Sequence, residues 1–253
     1  MVSLDGRHAV VTGGGRGIGR AIAAALTGSG AVVTVVGRGE LALIDTVKSG
    51  QAMGYAIADV THEAALAHTF KRLAADRGPI AILVANAGGA ESAPFLKTSA
   101  DQFRRLFELN VIGVVHAARS VLGDMIARKF GRIVAIASTA GLKGYAYVSA
   151  YCAAKHAVIG LTRALAIETA RTGVTVNAVC PGYTDTDLTR ESLQRITEKT
   201  GRSRDEALAA MLKDVPLGRL VRPDEVAAAV SYLCSAEAAA VSGTTLTIAG
   251  AEL

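Results

Sequence analysis

A tyrosine and a lysine that could transfer a proton lie four residues apart, as Tyr151 and Lys155, in a stretch with a helical pattern. One helical turn separates them, so both side chains are expected on the same face of the helix. An ordinary tyrosine, with a pKa of about 10, is a weak base at neutral pH. A lysine ammonium one turn away stabilises the phenolate and is expected to lower that pKa. The pair therefore predicts acid–base chemistry on an alcohol or a carbonyl.

Two further polar residues, Ser138 and Asn110, complete the set of candidate catalytic residues. Ser138 follows the fifth apolar run, and ligands of α/β proteins bind at the carboxyl ends of strands. Its hydroxyl could hydrogen-bond a substrate oxygen. Asn110 falls inside a long helical pattern, where asparagine is locally unfavourable. We therefore predict that its backbone or its amide holds a water beside Lys155.

A glycine cluster follows the first apolar run and leads directly into a helical pattern. Its spacing is G-x-x-x-G-x-G within TGGGRGIG (12–19), rather than the commoner G-x-G-x-x-G. Glycines let the backbone approach a phosphate closely, and a helix N-terminus offers free N–H donors. The predicted phosphate-binding residues are Gly13, Gly15, Arg16, Gly17, Ile18 and Gly19.

The end of the second apolar run distinguishes between two nicotinamide cofactors. An NAD site usually carries an acidic residue here for the ribose 2′-hydroxyl, whereas this chain has Arg38. A guanidinium pairs well with a 2′-phosphate, and Arg16 could add a second positive charge, so we predict NADP(H). Asp59 and Val60 are predicted to contact the adenine. Asn86, Ala87 and Gly88 follow the fourth run in the same layer.

Short β-branched runs alternate with helical patterns along the whole chain, which predicts an α/β fold with a doubly wound parallel sheet. The predicted strands are 8–12, 31–36, 55–58, 80–85, 132–137, 174–179 and 244–248. The predicted helices are 17–28, 40–49, 62–76, 100–129, 149–171 and 223–235. We find no linker or repeat and predict one domain over 1–253. A polar stretch at about 183–217 exceeds an ordinary loop, and we expect a mobile helical lid there.

Composition narrows the possible partners and the compartment. The 253 residues carry a net charge of +5, but the basic residues are scattered; the densest pairs are Arg104-Arg105 and Arg128-Lys129. This distribution predicts no nucleic-acid partner. The three cysteines have no disulfide or zinc spacing, and the five histidines form no ligand pattern, so no metal is expected. No signal-peptide core or apolar run approaching about 18 residues is evident, which predicts a cytoplasmic protein without membrane contact.

Six motifs together, in order and at the right spacing, resemble the short-chain dehydrogenase/reductase family: TGGGRGIG (12–19), NAG (86–88), Asn110, Ser138, YCAAK (151–155) and PGYTDT (181–186). The resemblance implies a Rossmann-like fold of seven strands in three layers, ordered 3-2-1-4-5-6-7, that transfers a hydride between nicotinamide and a carbonyl or alcohol. It implies that Tyr151 is the general acid or base, that Lys155 lowers its pKa and binds the ribose, and that Ser138 orients the substrate. It further implies that Asn110 anchors a relay water and that Thr186 contacts the carboxamide. Pro181, Gly182 and Thr184 join the predicted cofactor contacts. A homotetramer is also implied.

The substrate is less well defined by the sequence. The stretches IASTAG (136–141) and GVTVNAVCPG (173–182) resemble 3-oxoacyl-thioester reductases and aromatic polyketide ketoreductases. An acyl thioester is therefore one candidate substrate, and a cyclic or steroid-like secondary alcohol is another. A non-catalytic, cofactor-sensing protein on the same fold is a third possibility. The substrate wall is expected from 89–94, 140–147, Tyr183 and the lid. The end of the chain, 248–253, departs from the strand and Asp-Gly-Gly ending of many family members.

Overall fold

Seven parallel strands form the centre of the protein in a computed structural model that describes residues 3–252. Met1, Val2 and Leu253, which the predicted domain includes, lie outside the described residues. The strand order is β3-β2-β1-β4-β5-β6-β7, which confirms the predicted doubly wound α/β fold. The strands are β1 (His8–Thr12), β2 (Val32–Gly37), β3 (Gly54–Ile57), β4 (Ile80–Ala85), β5 (Gly131–Ile136), β6 (Val174–Pro181) and β7 (Thr245–Ile248).

Helices cover both faces of the sheet and make three layers. On one face, α1 and α9 pack with Ile22, Leu26, Val226 and Val230 against the strands. On the other face, α3 and α5 contribute apolar side chains that include Phe70. The helices are α1 (Gly17–Gly28), α2 (Glu40–Lys48), α3 (Glu63–Arg77), α4 (Ala100–Phe107), α5 (Gly113–Ala127), α6 (Ser149–Thr169), α7 (Asp187–Thr200), α8 (Arg204–Leu212) and α9 (Pro223–Cys234).

The burial of each strand explains why the apolar runs are continuous in the middle of the sheet. Every residue of β1, β4, β5 and β6 is buried, because helices cover both of their faces. The edge strand β3 instead alternates buried and exposed residues, so that Tyr55 and Ile57 reach solvent. The carboxyl ends of the central strands lie at one edge of the sheet, where the polar motifs follow them.

The long helical pattern predicted over 100–129 is interrupted, which differs from the prediction. Between α4 and α5 the residues Glu108–Ile112 form a π-helical turn that contains Asn110. The Asn110 Nδ2 donates a hydrogen bond of 2.9 Å to the carbonyl of Leu106 and another to the carbonyl of Gly89. Both side-chain donors are therefore used within the protein. Such wide turns are frequent at functional sites.

The same region, Ala100–Ala127, is the one stretch among residues 3–252 long and apolar enough to cross a membrane by length and composition. The expectation that no apolar run approaches that length therefore does not hold for it. Buried residues make up 44% of its apolar window. Val114, Val121 and Met125 pack into the cores beneath the sheet, which accounts for the apolar composition.

The polar stretch 183–217 contains α7 and α8, so its predicted helical character is present in the structure. Thr186 caps α7 through its hydroxyl, which accepts from the N–H of Thr189. Ser203 and Glu206 form a reciprocal capping box at the start of α8. A backbone bridge between Thr184 and Val221 holds the two ends of the stretch together.

Candidate active site

A cleft of about 1,090 Å³ opens at the carboxyl ends of the strands and brings nearly all of the predicted site residues together. Asn110 is the exception, since it is fully buried behind the cleft. The predicted residues that line the cleft are Gly13, Gly15, Arg16, Gly17, Ile18, Gly19, Arg38, Asp59, Val60, Asn86, Ala87, Gly88, Ser138, Tyr151, Lys155, Pro181, Gly182, Thr184 and Thr186.

The Tyr151 phenol lies in the cleft on the first turn of α6, near the Ser138 side chain. Burial raises the pKa of Tyr151 to about 12, and the hydrogen bond with the Ser138 side chain opposes this only in part. Burial therefore dominates the pKa of Tyr151, and the lowering of this pKa by Lys155 stays a prediction. The Lys155 ammonium lies 5.6 Å from the Tyr151 ring centroid, and a cation near a phenolate stabilises it.

Lys155 is buried one turn further along α6 and faces the same cleft. Its ammonium donates a hydrogen bond of 2.8 Å to the carbonyl of Ile136, the last residue of β5. Burial lowers the pKa of Lys155 from 10.5 to about 8. The amine is therefore mostly protonated at pH 7, but it is closer to neutral than an exposed lysine would be.

The Asn110 amide fixes the glycine loop that follows β4. Its Nδ2 donates to the carbonyls of Gly89, at 3.0 Å, and Leu106, and its Oδ1 accepts from the N–H of Gly89 at 3.2 Å. Both amide protons are thus used by the protein, which leaves the backbone as the better candidate for a water contact. A side chain at Gly88 would lie 2.7 Å from Asn110 Oδ1. Asn110 therefore fixes the position of the Gly88–Gly89 backbone beside Lys155.

The glycine turn fits a bound pyrophosphate. Gly13 has a φ of +66°, and a Cβ there would lie 2.8 Å from Asn86 Nδ2, so only glycine suits this position. A Cβ at Gly19 would collide with the carbonyl of Gly13. The first turn of α1 has no acidic residue and no side-chain cap, so its N–H groups are available to an anion.

Two exposed arginines border the adenosine end of the cleft, and each is close to a carboxylate. Arg38 Nη1 lies 3.7 Å from Asp59 Oδ2, and Arg16 Nη1 lies 3.7 Å from Glu191 Oε1 on α7. Burial favours a higher pKa for Asp59, but hydrogen bonds from Thr61 and the charge of Arg38 outweigh it and lower the pKa. Asp59 is therefore ionised and can hold the Arg38 side chain at the cleft.

The opposite end of the cleft is apolar and partly made by the stretch 183–217. Leu188 of α7 and Met211 of α8 line it, as do Tyr145 and Tyr183, whose rings meet edge to face at 6.0 Å. Sequence analysis anticipated the two tyrosines but missed Glu252, which accepts a hydrogen bond from the Tyr145 hydroxyl. No sequence signal joins these residues, because the contact depends on how the segment after β7 folds back.

The three cysteines form no disulfide, and two of them, Cys152 and Cys180, lie near Tyr151. Cys152, Cys180 and Cys234 are buried and unpaired. Within residues 3–252, no group of three or more His, Cys, Asp or Glu side chains could hold a metal ion.

Comparison with known proteins identifies the class. Residues 7–197 match the short chain dehydrogenase family. The chain is 37% identical to the 3-oxoacyl-(acyl-carrier-protein) reductase FabG of Vibrio harveyi, covering 98% of each chain. It is 38% identical to the acetoacetyl-CoA reductase of Shinella zoogloeoides, covering 97% of this chain and 98% of that one. A solved structure of an actinorhodin polyketide ketoreductase variant with NADPH superposes with a TM-score of 0.93 at 37% identity, covering 100% and 99% of the two chains.

The chain therefore belongs to the short-chain dehydrogenase/reductase family, as its motifs indicated. Within that family its similarity is to ketoreductases, which are oxidoreductases of the ketone–alcohol pair. The family places a nicotinamide cofactor in the cleft, and the glycine turn and uncapped helix described above fit its pyrophosphate.

Proposed function

We propose that the protein is an NADP(H)-dependent ketoreductase that interconverts a ketone and a secondary alcohol, with a 3-oxoacyl thioester as the first candidate substrate. The observation that carries the proposal is the convergence of Ser138, Tyr151 and Lys155 in one cleft with the glycine turn. The two relatives named above are reductases of 3-oxoacyl thioesters, which supports this substrate class.

Each polar residue of the cleft has its own proposed role in ketone reduction. The nicotinamide, when bound, supplies the hydride for the carbonyl carbon. Ser138 hydrogen-bonds the substrate oxygen and holds it next to the Tyr151 hydroxyl. Tyr151, which is protonated at neutral pH, gives its proton to the oxygen as negative charge develops there. In the oxidative direction Tyr151 takes that proton back.

Lys155 and Asn110 support this proton transfer. The Lys155 ammonium stabilises negative charge on the tyrosine oxygen after its proton has left. It is also positioned to bind the nicotinamide ribose. Asn110 holds the loop at Gly89 against this site, and its backbone is the proposed anchor of a relay water.

The preference for NADP(H) rests on the two arginines. Arg38 follows β2 and Arg16 lies in the glycine turn, so both can reach a 2′-phosphate. Asp59 is the proposed adenine contact and also orients Arg38. Thr184 and Thr186, after the Pro181-Gly182 pair, are the proposed contacts of the carboxamide end.

The stretch 183–217 is proposed to act as a lid on a single domain. Leu188 and Met211 line the cleft from α7 and α8, and Arg16 joins α7 to the glycine turn by an ion pair. Closure of such a segment excludes water from the reacting groups. We also propose a homotetramer and a cytoplasmic location, the latter supported by three buried, unpaired cysteines.

A substrate panel with both cofactors tests the proposal. NADPH and NADH oxidation are followed with 3-oxoacyl thioesters, 3-oxo esters, cyclic ketones and steroid ketones. Turnover of thioesters and esters with NADPH supports the proposed function. Faster turnover of cyclic or steroid ketones favours the second candidate, for which the aromatic pair Tyr145–Tyr183 is the supporting observation. Tight NADPH binding without any turnover would instead indicate a cofactor sensor.

A further inference from the structure

A buried carboxylate, Glu252, lies behind the apolar end of the cleft. It is 3% exposed, and its Oε1 accepts a hydrogen bond of 2.6 Å from the Tyr145 hydroxyl. The same oxygen lies 3.5 Å from the Lys143 ammonium. Its Oε2 is buried and accepts no hydrogen bond from the described residues. A charge held this deeply is costly unless it is paired, so the contacts of Glu252 call for an explanation.

The contacts of Tyr145 determine what this side chain can offer to a substrate. Its hydroxyl contacts Glu252 and, at 2.7 Å, the Thr139 hydroxyl, so its donor is used inside the protein. Burial and the hydrogen bond to Glu252 raise the pKa of Tyr145, which stays neutral. Its ring packs edge to face on Tyr183 at an interplanar angle of 79°. The surface that remains for a substrate is the aromatic ring.

The positive charges that line the cleft lie away from its apolar end. The cations that line the cleft are Arg16 and Arg38 at the adenosine end, together with Lys155 beside Tyr151. Lys143 lies two residues before Tyr145 in the sequence. Among the described residues, it is not one of those that line the cleft. Its ammonium lies between Glu252 and the Tyr145 ring, 5.1 Å from the ring centroid. Glu252 therefore neutralises the cation that could otherwise attract an anionic substrate.

We propose that Glu252 is a positioning residue for substrate selection: it ties Tyr145 into an apolar wall and holds Lys143 away, so that the cleft selects neutral ketones over free 3-oxo acids. This inference rests on the proposed ketoreductase function. It makes Tyr145 and Glu252 determinants of specificity that act without touching the reacting atoms. A 3-oxoacyl thioester or ester is accepted, whereas the corresponding carboxylate meets an apolar wall without a free cation.

The test compares ethyl acetoacetate with acetoacetate, which share a ketone and differ in the negative charge. The wild-type protein with NADPH is expected to prefer the ester. Glu252→Gln keeps the shape and removes the charge, so Lys143 loses its partner. The preference for the ester, as a ratio of kcat/KM values, should fall about ten-fold, the size expected for one charge-assisted contact. Adding Lys143→Met should restore it.

Tyr145→Phe removes the same hydrogen bond from the other side and serves if Glu252→Gln does not fold. It should raise KM for the ester about five-fold with little change in kcat, the size expected for one net hydrogen bond. The double variant with Glu252→Gln should show no more than the larger single effect on this KM. Glu168→Gln, an exposed carboxylate on α6, is the matched control and should change nothing.

The outcomes distinguish failure of the proposed ketoreductase function from failure of the role proposed for Glu252. If the wild type reduces neither the ester nor any other ketone, the proposed function fails and this inference fails with it. If the wild type reduces the ester but prefers acetoacetate, the inference alone is overturned. It is also overturned if Glu252→Gln lowers the melting temperature but leaves the ester-to-acid ratio unchanged, since that would be a purely structural role.

Discussion

Burial raises the pKa of Tyr151 to about 12, so its phenol stays protonated well above neutral pH. A protonated phenol is suited to donate a proton, which fits the proposed role of Tyr151 as general acid in ketone reduction. The sequence predicted the pair Tyr151–Lys155 but not the burial that raises the pKa of Tyr151. Sequence spacing gives the distance between two residues along a helix, whereas desolvation depends on the whole environment of the phenol.

Replacing Tyr151 by phenylalanine removes the proposed proton donor and little else. Turnover should fall by about 100-fold or more, the usual contribution of a positioned general acid. NADPH affinity, measured by fluorescence titration, should change little. Tyr232→Phe, on an exposed tyrosine of α9, is the control. Near-normal turnover by Tyr151→Phe would remove this residue from the mechanism.

The lowered pKa of Lys155 predicts that the rate of ketone reduction depends on pH. Its pKa of about 8 means that the ammonium is lost as the pH rises through that value, while Tyr151 stays protonated. Measured kcat/KM should be level between about pH 6 and about pH 7 and fall above about pH 8. A rate that stays level up to about pH 10 would contradict the role of Lys155.

Unfolding at high pH would not explain such a fall in kcat/KM. The contribution of Lys155 to the free energy of unfolding changes with pH in the opposite direction. The unfolded chain binds the Lys155 proton more tightly, since the pKa there is 10.5 rather than about 8. The contribution of this group to the free energy of unfolding therefore rises with pH across that interval. Thermal unfolding over the same pH range is the control measurement.

At the scale of the elements, the proposed preference for NADP(H) depends on the loop between β2 and α2. Arg38→Asp replaces a cation with a carboxylate, which would repel a 2′-phosphate and can accept a hydrogen bond from a 2′-hydroxyl. The ratio of kcat/KM for NADPH to that for NADH should fall about 10- to 100-fold or more. Arg171→Asp, an exposed arginine away from the cleft, is the control. A wild-type preference for NADH would contradict the proposal for Arg38.

The elements themselves were largely predictable from the sequence. Continuous β-branched runs identified the fully buried strands, and the glycine turn identified the start of α1. The π-helical turn at Glu108–Ile112 was not predicted, because it is stabilised by Asn110 bonding to Gly89, a contact between distant segments. The Tyr145–Glu252 contact was missed for the same reason. Periodicity describes local structure, but it carries no information about such pairings.

At the scale of the whole molecule, the proposed homotetramer is expected to bury the exposed side of α6. Ile167 is 79% exposed although it lies on the helix that carries Tyr151 and Lys155. Sedimentation is expected to give the mass of four chains. Ile167→Asp should shift that equilibrium toward smaller species, because a charge there would be desolvated on assembly.

Leu41→Asp is the matched control, since this leucine of α2 is similarly exposed at 84%. It should leave the assembly unchanged. A monomeric wild type at micromolar concentration would contradict the proposed tetramer.

The exposure of the ion pairs at the adenosine end of the cleft is expected to make cofactor binding depend on the salt concentration. Arg16 and Arg38 have side chains that are 71% and 73% exposed, so dissolved ions reach them freely. Screening acts over about 10 Å at roughly 0.1 M salt. In the proposed complex with NADP(H), a 2′-phosphate would gain binding energy from these charges, whereas a 2′-hydroxyl would not. The proposed discrimination between NADPH and NADH is therefore expected to depend on the ionic strength of the buffer and to be strongest in dilute buffer.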